Sequence, residues 1–369
     1  MERYQERCPS CWPPILLLWG KSPDLPNGDA MDLFELTRAL IDIDSVTNCE
    51  KRVGEFLLDY LGALTRRTGG RVERMEVEAD RFNVLACWGQ PAVTLSTHMD
   101  VVPPFFPARE DDEFIYGRGA CDAKGILAAM IKALTGLLEE GARDFALLVV
   151  VGEERNSTGA LAAARQNRGS RYLINGEPTE NKLAAGTKGA LRYEITARGR
   201  MAHSAYPELG ASAIDTLLDV LEAIRAIPLP ADPVLGASTL NIGTISGGRA
   251  PNVIADCAQA ELMFRLAGPA ELIREAVTRA VAGRAEITEV LMAPAVRLRT
   301  LAGMETAVMP FTTDIPAFEG AWGEPFLIGP GSARLAHTLE ERIAKRELLE
   351  AVEIYRKMVK LLGSYATQN

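Results

Sequence analysis

Residues 145–151 read FALLVVV, an unbroken apolar run that ends in three valines and is stopped by Gly152. A run this short and this β-branched fits a strand buried on both faces. Such a strand needs cover on two sides, which helices supply around a mostly parallel sheet. The flanking sequence agrees. Residues 124–140 place Ile126, Leu127, Met130, Ile131, Leu134 and Leu138 at helical spacing. Residues 92–96 and 172–175 read as further short strands, and 158–166 as a helix between strands. Strands alternating with helices define an α/β domain.

Upstream, 31–43 reads as a helix, and a second starts near Thr47 with Glu50 three residues on, the pattern of a capping box. Gly69-Gly70 ends that helix, and 71–77 and 83–88 read as strands. The pattern changes after Gly186. Strands at 191–198, 239–245, 254–266 and 286–292 interleave with helices at 211–227 and 269–282. The order β-α-β-β-α-β is the ferredoxin-like unit, a complete small domain over 188–293 inserted in the first, which takes 31–187 and 294–369. The first domain resumes with strands at 304–311 and 325–331, reaches His337, and closes with a helix at 346–362. The first thirty residues, with a short apolar patch broken by prolines, read as an extension before a true start at Met31, or as a disordered or docking arm.

With a net charge of −9, nucleic acid and anionic membrane are poor partners. No apolar run approaches the ~18–20 residues of a membrane span. Six dispersed cysteines do not form a disulfide scaffold and suit a reducing cytoplasm; Cys8 and Cys11 lack a second pair to complete a zinc ribbon.

Only three histidines are present, so each carries weight. In an open α/β sheet, ligands bind beyond the carboxyl ends of the strands. His98, Glu153, Glu154 and Glu177 all follow expected strands, Asp122 opens a helix, and His337 follows the last strand. Taken singly, adjacent glutamates are commonly solvated surface, and an aspartate before a helix is commonly a cap. Together on one rim they form an imidazole and carboxylate set suited to zinc. Asp122 is the natural bridge between two ions, with His98 and Glu177 completing one position and Glu154 and His337 the other. Asp100, two residues from His98, fits a role in orienting the imidazole. Glu153, next to a ligand glutamate in extended chain, would face the substrate as general base, taking a proton from the attacking water and passing it to the leaving amine.

The segments THMDVVP, YGRGACDAKG, GEE, GEP, GRMAHSAYPELGASAI, SGGRAPNVIAD and AHTLEE resemble the dinuclear-zinc family of acetylornithine deacetylase, succinyl-diaminopimelate desuccinylase, aminoacylase and carboxypeptidase G. The resemblance covers nearly everything from Met31 onward. It implies a catalytic domain with an inserted lid and dimerisation domain. It also implies two Zn2+ per subunit, replaceable by Co2+ or Mn2+, on His98, Asp122, Glu154, Glu177 and His337. Glu153 is implied as base, with Asp100 behind His98. It further implies that His203 reaches a partner subunit's site to stabilise the oxyanion, and that Asn252 and Arg265 hold the substrate's α-carboxylate. Thr312 and the turn ending in Gly331 would line the substrate. The expected activity is hydrolysis of the amide of an N-acyl amino acid, acetylornithine deacetylase-like or succinyl-diaminopimelate desuccinylase-like, by a cytoplasmic homodimer in arginine or lysine biosynthesis. The alternatives are a carboxypeptidase or dipeptidase with the same machinery, and a non-catalytic binding protein on the same fold. The loop between His98 and Asp122 departs from the pattern, carrying Phe105, Phe106 and the acidic run 110–113, and is expected to shape the substrate entrance.

Overall fold

The structure, a computed structural model, describes residues 31–166 and 168–368. The N-terminal extension and the Cys8–Cys11 pair lie outside the described residues. The chain divides into two compact units. One holds residues up to Leu183 together with Gly303–Glu305 and Ala317 onward; the other holds Ala184–Ala302 and Thr306–Pro316.

The first unit opens with helices α1 (Leu33–Ile41) and α2 (Lys51–Thr68). The capping box lies on α1, where Asp32 and Glu35 cap each other's backbone. The one expected at Thr47 and Glu50 does not form: α2 has no side-chain cap. Both residues are spent elsewhere. Thr47 donates its hydroxyl to Asp100 at 2.8 Å, and the buried Glu50 carboxylate receives Arg81 at 2.7 and 3.0 Å. Strands β1 (Arg71–Glu78), β2 (Arg81–Trp88) and β3 (Val93–His98) follow, then α3 (Lys124–Glu139), β4 (Phe145–Val150), α4 (Thr158–Ala164) and β5 (Tyr172–Asn175). Every residue of β3, β4 and β5 is buried, as an apolar run between helical layers requires. Helix α3 is buried around most of its circumference and fills the space beside the sheet.

The second unit contains β6 (Gly189–Arg198), α5 (Ala213–Arg225), β7 (Thr239–Gly247), β8 (Cys257–Leu266), α6 (Ala270–Val281) and β9 (Glu286–Ala293). Its sheet runs β7-β8-β6-β9, antiparallel throughout, which is the expected β-α-β-β-α-β arrangement. Alternate residues of β6 and β8 pack under both helices in one apolar cluster that includes Leu191, Ile195, Leu217, Leu262 and Phe264. This unit extends past 188–293. Strand Leu183–Thr187, with no strong periodicity of its own, pairs with Val296–Arg297 and shares a sheet with Thr306–Met309. Thr312 therefore belongs to the second unit.

The chain returns to the first unit with β10 (Glu324–Leu327) and α7 (Lys345–Gln368). The main sheet has the order β1-β2-β4-β3-β5-β10, and its last four strands are parallel. Cys87, Cys121 and Cys257 are free thiols, whereas Cys49 is disulfide-bonded. Among the described residues, no helix is long and apolar enough to cross a membrane.

Candidate metal centre

Parallel pairing fixes the site. Strands β4, β3 and β5 are neighbours running the same way, so their carboxyl ends lie on one rim. His98 ends β3, Glu153-Glu154 follow β4, and Glu177 follows β5. Asp122 precedes α3 by two residues, and its side chain is not spent on a cap, since that helix has no side-chain cap bond. His337 follows β10 with a left-handed backbone (φ 63°), a strained conformation for a non-glycine residue.

The side chains converge. His98 Nε2 lies 3.1 Å from Asp122 Oδ1 and 4.0 Å from Glu177 Oε2. His337 Nε2 lies 3.3 Å from Asp122 Oδ2 and 2.9 Å from Glu154 Oε2. Donor atoms of His98, Asp122 and Glu154 all lie within 4.8 Å of one another. Asp122, Glu154 and Glu177 expose only 11%, 6% and 5% of their side chains. Three carboxylates packed this closely away from water are costly unless positive charge sits among them. Imidazole nitrogen and carboxylate oxygen are donors that zinc accepts, so the residues present fit a divalent ion on either side of Asp122.

Without metal, protons take that role. Burial opposes charge on His98, but its bonds to Asp100 and Asp122 outweigh this and hold it well above the usual imidazole value. Bonds to Asp122 and Glu154 push His337 up to about 10. Burial would raise Asp122, yet His337 and His98 hold it well below the ordinary carboxylate range. Burial, followed by the charge of Asp122, raises Glu154.

Asp100 is fully buried and, besides accepting the Thr47 hydroxyl, does two things at the rim. Its backbone carbonyl lies 3.0 Å from His98 Nδ1 and its carboxylate 3.6 Å away, so the neutral ring keeps its proton on Nδ1 and turns the Nε2 lone pair toward Asp122. Its carboxylate also accepts the amides of Glu153 (3.2 Å) and Glu154 (3.3 Å), which the sequence did not reveal. Residues 153–156 form a turn instead of the expected extended chain, with the amides of Asn156 and Ser157 returning to the Gly152 carbonyl. Glu153 is half-buried, and its charge acts on His98. The turn before His337 packs closely: a Cβ on Gly331 would sit 2.7 Å from Cys121 Cβ, and one on Gly329 would sit 2.5 Å from the Glu177 carbonyl.

The acidic run between His98 and Asp122 is used to fold its own loop. Asp111 accepts the amides of Glu113 and Phe114 and the Tyr116 hydroxyl, and Glu110 pairs with Arg38 and Lys345. Strand Phe114–Tyr116 is held between Arg109–Glu110 and Arg342–Ala344.

His203, Asn252, Arg265 and Thr312 stand in the second unit. His203 is exposed and bridges Val253, beside Asn252, whose carbonyl accepts the Ser204 amide at 3.0 Å. Its Nδ1 accepts the Ala205 amide at 3.1 Å, so the neutral ring carries its proton on Nε2. Arg265 projects from the sheet face opposite the core, half-buried, and burial lowers its pKa; among the described residues no carboxylate pairs with it. Asn252 precedes β8 and Arg265 stands near its far end, about 27 Å along an extended strand. The structure therefore does not bring these two together within one copy.

The rim of histidines and buried carboxylates at the carboxyl ends of parallel strands is a candidate metal centre. The chain matches peptidase family M20/M25/M40 over residues 94–361 and belongs to that family. It is 38% identical to a peptidase M20 domain-containing protein of Schizosaccharomyces pombe, covering 91% of this chain and 85% of that protein. It is 36% identical to a protein of Ajellomyces dermatitidis described as a probable carboxypeptidase, covering 91% and 90%. Its fold superimposes on aminopeptidase PepT from Bacillus cereus with a TM-score of 0.74 at 20% identity, over 90% of this chain and 98% of that one. An M20 family metallo-carboxypeptidase from Sulfolobus solfataricus gives 0.72 at 16% identity, over 90% and 99%. The chain is thus a hydrolase of the metallopeptidase type. These relatives favour the peptidase alternative over the expected acetylornithine or succinyl-diaminopimelate deacylase.

Proposed function

We propose that this chain is a dinuclear metallo-carboxypeptidase or dipeptidase, releasing a C-terminal amino acid from a short peptide. The observation that carries this reading is the division of Asp122 between two imidazoles, each with its own glutamate. His98, Asp122 and Glu177 would hold one ion; Asp122, Glu154 and His337 the other, zinc being the ion suited to these donors. Bound divalent ions supply Lewis acidity for the scissile carbonyl and make water a better acid.

The chain's own residues do the rest. Glu153, held by its amide to Asp100, takes a proton as water oxygen bonds to the carbonyl carbon, and delivers it to the amine as the C–N bond breaks. The Nε2 proton of His203 suits donation to the developing oxyanion. Arg265, with no acidic partner of its own among the described residues, suits the terminal carboxylate, with Thr312 and Gly331 as further lining positions. His203 and Asn252 lie side by side but far along the strand from Arg265. If both ends serve one substrate, two copies must contribute, and we therefore propose a homodimer through the second unit. Its edge strand β7 offers an unpaired backbone, and Ile214, Leu218 and Ile245 are exposed apolar residues nearby on α5 and β7.

An N-acyl amino acid presents the same amide and carboxylate, so it is the second reading. The test is a side-by-side assay of dipeptides, longer peptides, N-acetylornithine and N-succinyl-diaminopimelate. Preferred turnover of the last two would overturn the peptidase reading.

A further inference from the structure

A buried carboxylate outside the proposed ligand set grips the loop that carries Asp122. Glu341 Oε1 accepts the backbone amides of Gly119 (3.0 Å), Cys121 (3.2 Å) and Asp122 itself (3.2 Å). Its other oxygen accepts Arg118 Nη1 at 2.6 Å, and both side chains are 1% exposed. Gly119 takes φ +89°, a conformation open to glycine, and the amides of 119, 121 and 122 point inward at one oxygen while that of Ala120 turns back to the Gly117 carbonyl. The Glu341 backbone is tied in as well: its carbonyl accepts the Gly117 amide at 3.2 Å. Glu341 lies four residues after His337. One residue thus fastens the segment bearing His337 to the loop bearing Asp122, the two groups whose side chains lie 3.3 Å apart across the site.

We infer that Glu341 is a positioning residue that sets the orientation of the Asp122 carboxylate and its separation from His337, and so governs how tightly the centre holds a divalent ion. The inference rests on the metal-site reading above. Physically, a carboxylate that receives three amides and a guanidinium fixes a backbone that no helix or sheet ladder otherwise holds at 119–122. Asp122 can then present one oxygen to each imidazole without paying rotamer freedom at every binding event. A glutamine in its place accepts through one oxygen only, and turns an amide group toward Arg118 or toward the loop donors. An aspartate keeps the charge but is one methylene short of reaching both.

The experiment titrates metal-free full-length protein with cobalt(II), following visible absorption for affinity and coordination geometry, alongside circular dichroism and thermal unfolding without metal. Wild type is measured first; absence of cobalt binding there would remove the metal-site reading itself, and the Glu341 inference with it. Given wild-type binding, Glu341→Gln is expected to bind about 10- to 100-fold more weakly with an altered spectrum, the usual size of effect for groups that orient ligands. Glu341→Asp is expected to show a smaller loss in the same direction, and it decides the matter if Glu341→Gln does not fold. A core variant remote from the loop, Leu57→Ala, should unfold at lower temperature yet keep wild-type affinity and spectrum. Wild-type cobalt binding in a folded Glu341 variant, or an equal loss in Leu57→Ala, would overturn the inference.

Discussion

Asp122 turns one carboxylate oxygen to His98, 3.1 Å away, and the other to His337, 3.3 Å away. The same side chain thus splits the rim into two half-sites, one with Glu177 at 4.0 Å from His98, one with Glu154 at 2.9 Å from His337. Replacing this residue should damage both halves at once. For Asp122→Asn, zinc content by elemental analysis should fall from two ions per chain to one or none, with affinity down by at least ~100-fold, since even groups behind a ligand are worth 10–100-fold. Two tightly held zinc ions in the folded variant would show that Asp122 does not bridge.

Metal loading should release protons. Asp122 and Glu154 raise His337 to about 10, and contacts to Asp100 and Asp122 hold His98 well above its usual value. His337 therefore carries a proton at neutral pH without metal, the shift on His98 favours its protonated form too, and a protonated ring must lose a proton to offer a lone pair. A raised pKa stabilises the metal-free fold below the unfolded value of about 6.5 and is lost as pH climbs through the folded value. Zinc affinity should accordingly rise with pH between 6 and 9. Calorimetry in buffers of different ionisation enthalpy should report net proton release; a heat independent of buffer would contradict it.

The Glu50–Arg81 pair is a structural liability with a measurable size. Both side chains are nearly inaccessible (0% and 6%), and Arg81 makes two bonds to the Glu50 carboxylate. Glu50→Ala leaves a buried guanidinium with Glu78 as its one remaining carboxylate partner among the described residues. Urea unfolding should show a loss of ~3–5 kcal/mol, the range for breaking one side of a buried pair. A loss under ~1 kcal/mol would mean water reaches Arg81 freely.

Trans action of His203 has a clean test. His203→Ala should lower kcat by ~10²–10³, the usual worth of one oxyanion donor. Mixing it with Glu153→Ala should recover activity, because each mixed dimer would contain one complete site. No recovery, with dimers confirmed by sedimentation, would place His203 on its own subunit's site or outside the mechanism.

Much of this was legible in the chain because it is local. The all-apolar run at β4 and the helical spacing of α3 are short-range patterns, and the order of elements then placed His98, Glu153-Glu154 and Glu177 on one rim. What escaped is long-range or depends on competition. Thr47 and Glu50 carry a capping pattern, yet Asp100 and Arg81 offer each a better-buried partner. The turn at 153–156 forms because the Asp100 carboxylate collects the two glutamate amides from 53 and 54 residues away. Glu341 sits in a recognised motif, but its amide partners lie some 220 residues upstream, and no periodicity announces them. The same holds for strand Leu183–Thr187, whose pairing with Val296–Arg297 lengthens the second unit.

Metal-dependent peptide hydrolysis, as proposed above, requires Glu153 to move the proton. It is tested most directly by comparing wild type with Glu153→Ala on a dipeptide at matched zinc content. Two bound zinc ions are expected in both proteins, with an unfolding temperature unchanged within a few degrees and a kcat about 10²–10⁴ lower in the variant. Unaltered hydrolysis by zinc-loaded Glu153→Ala, or full wild-type hydrolysis after chelation has stripped the metal, would contradict it.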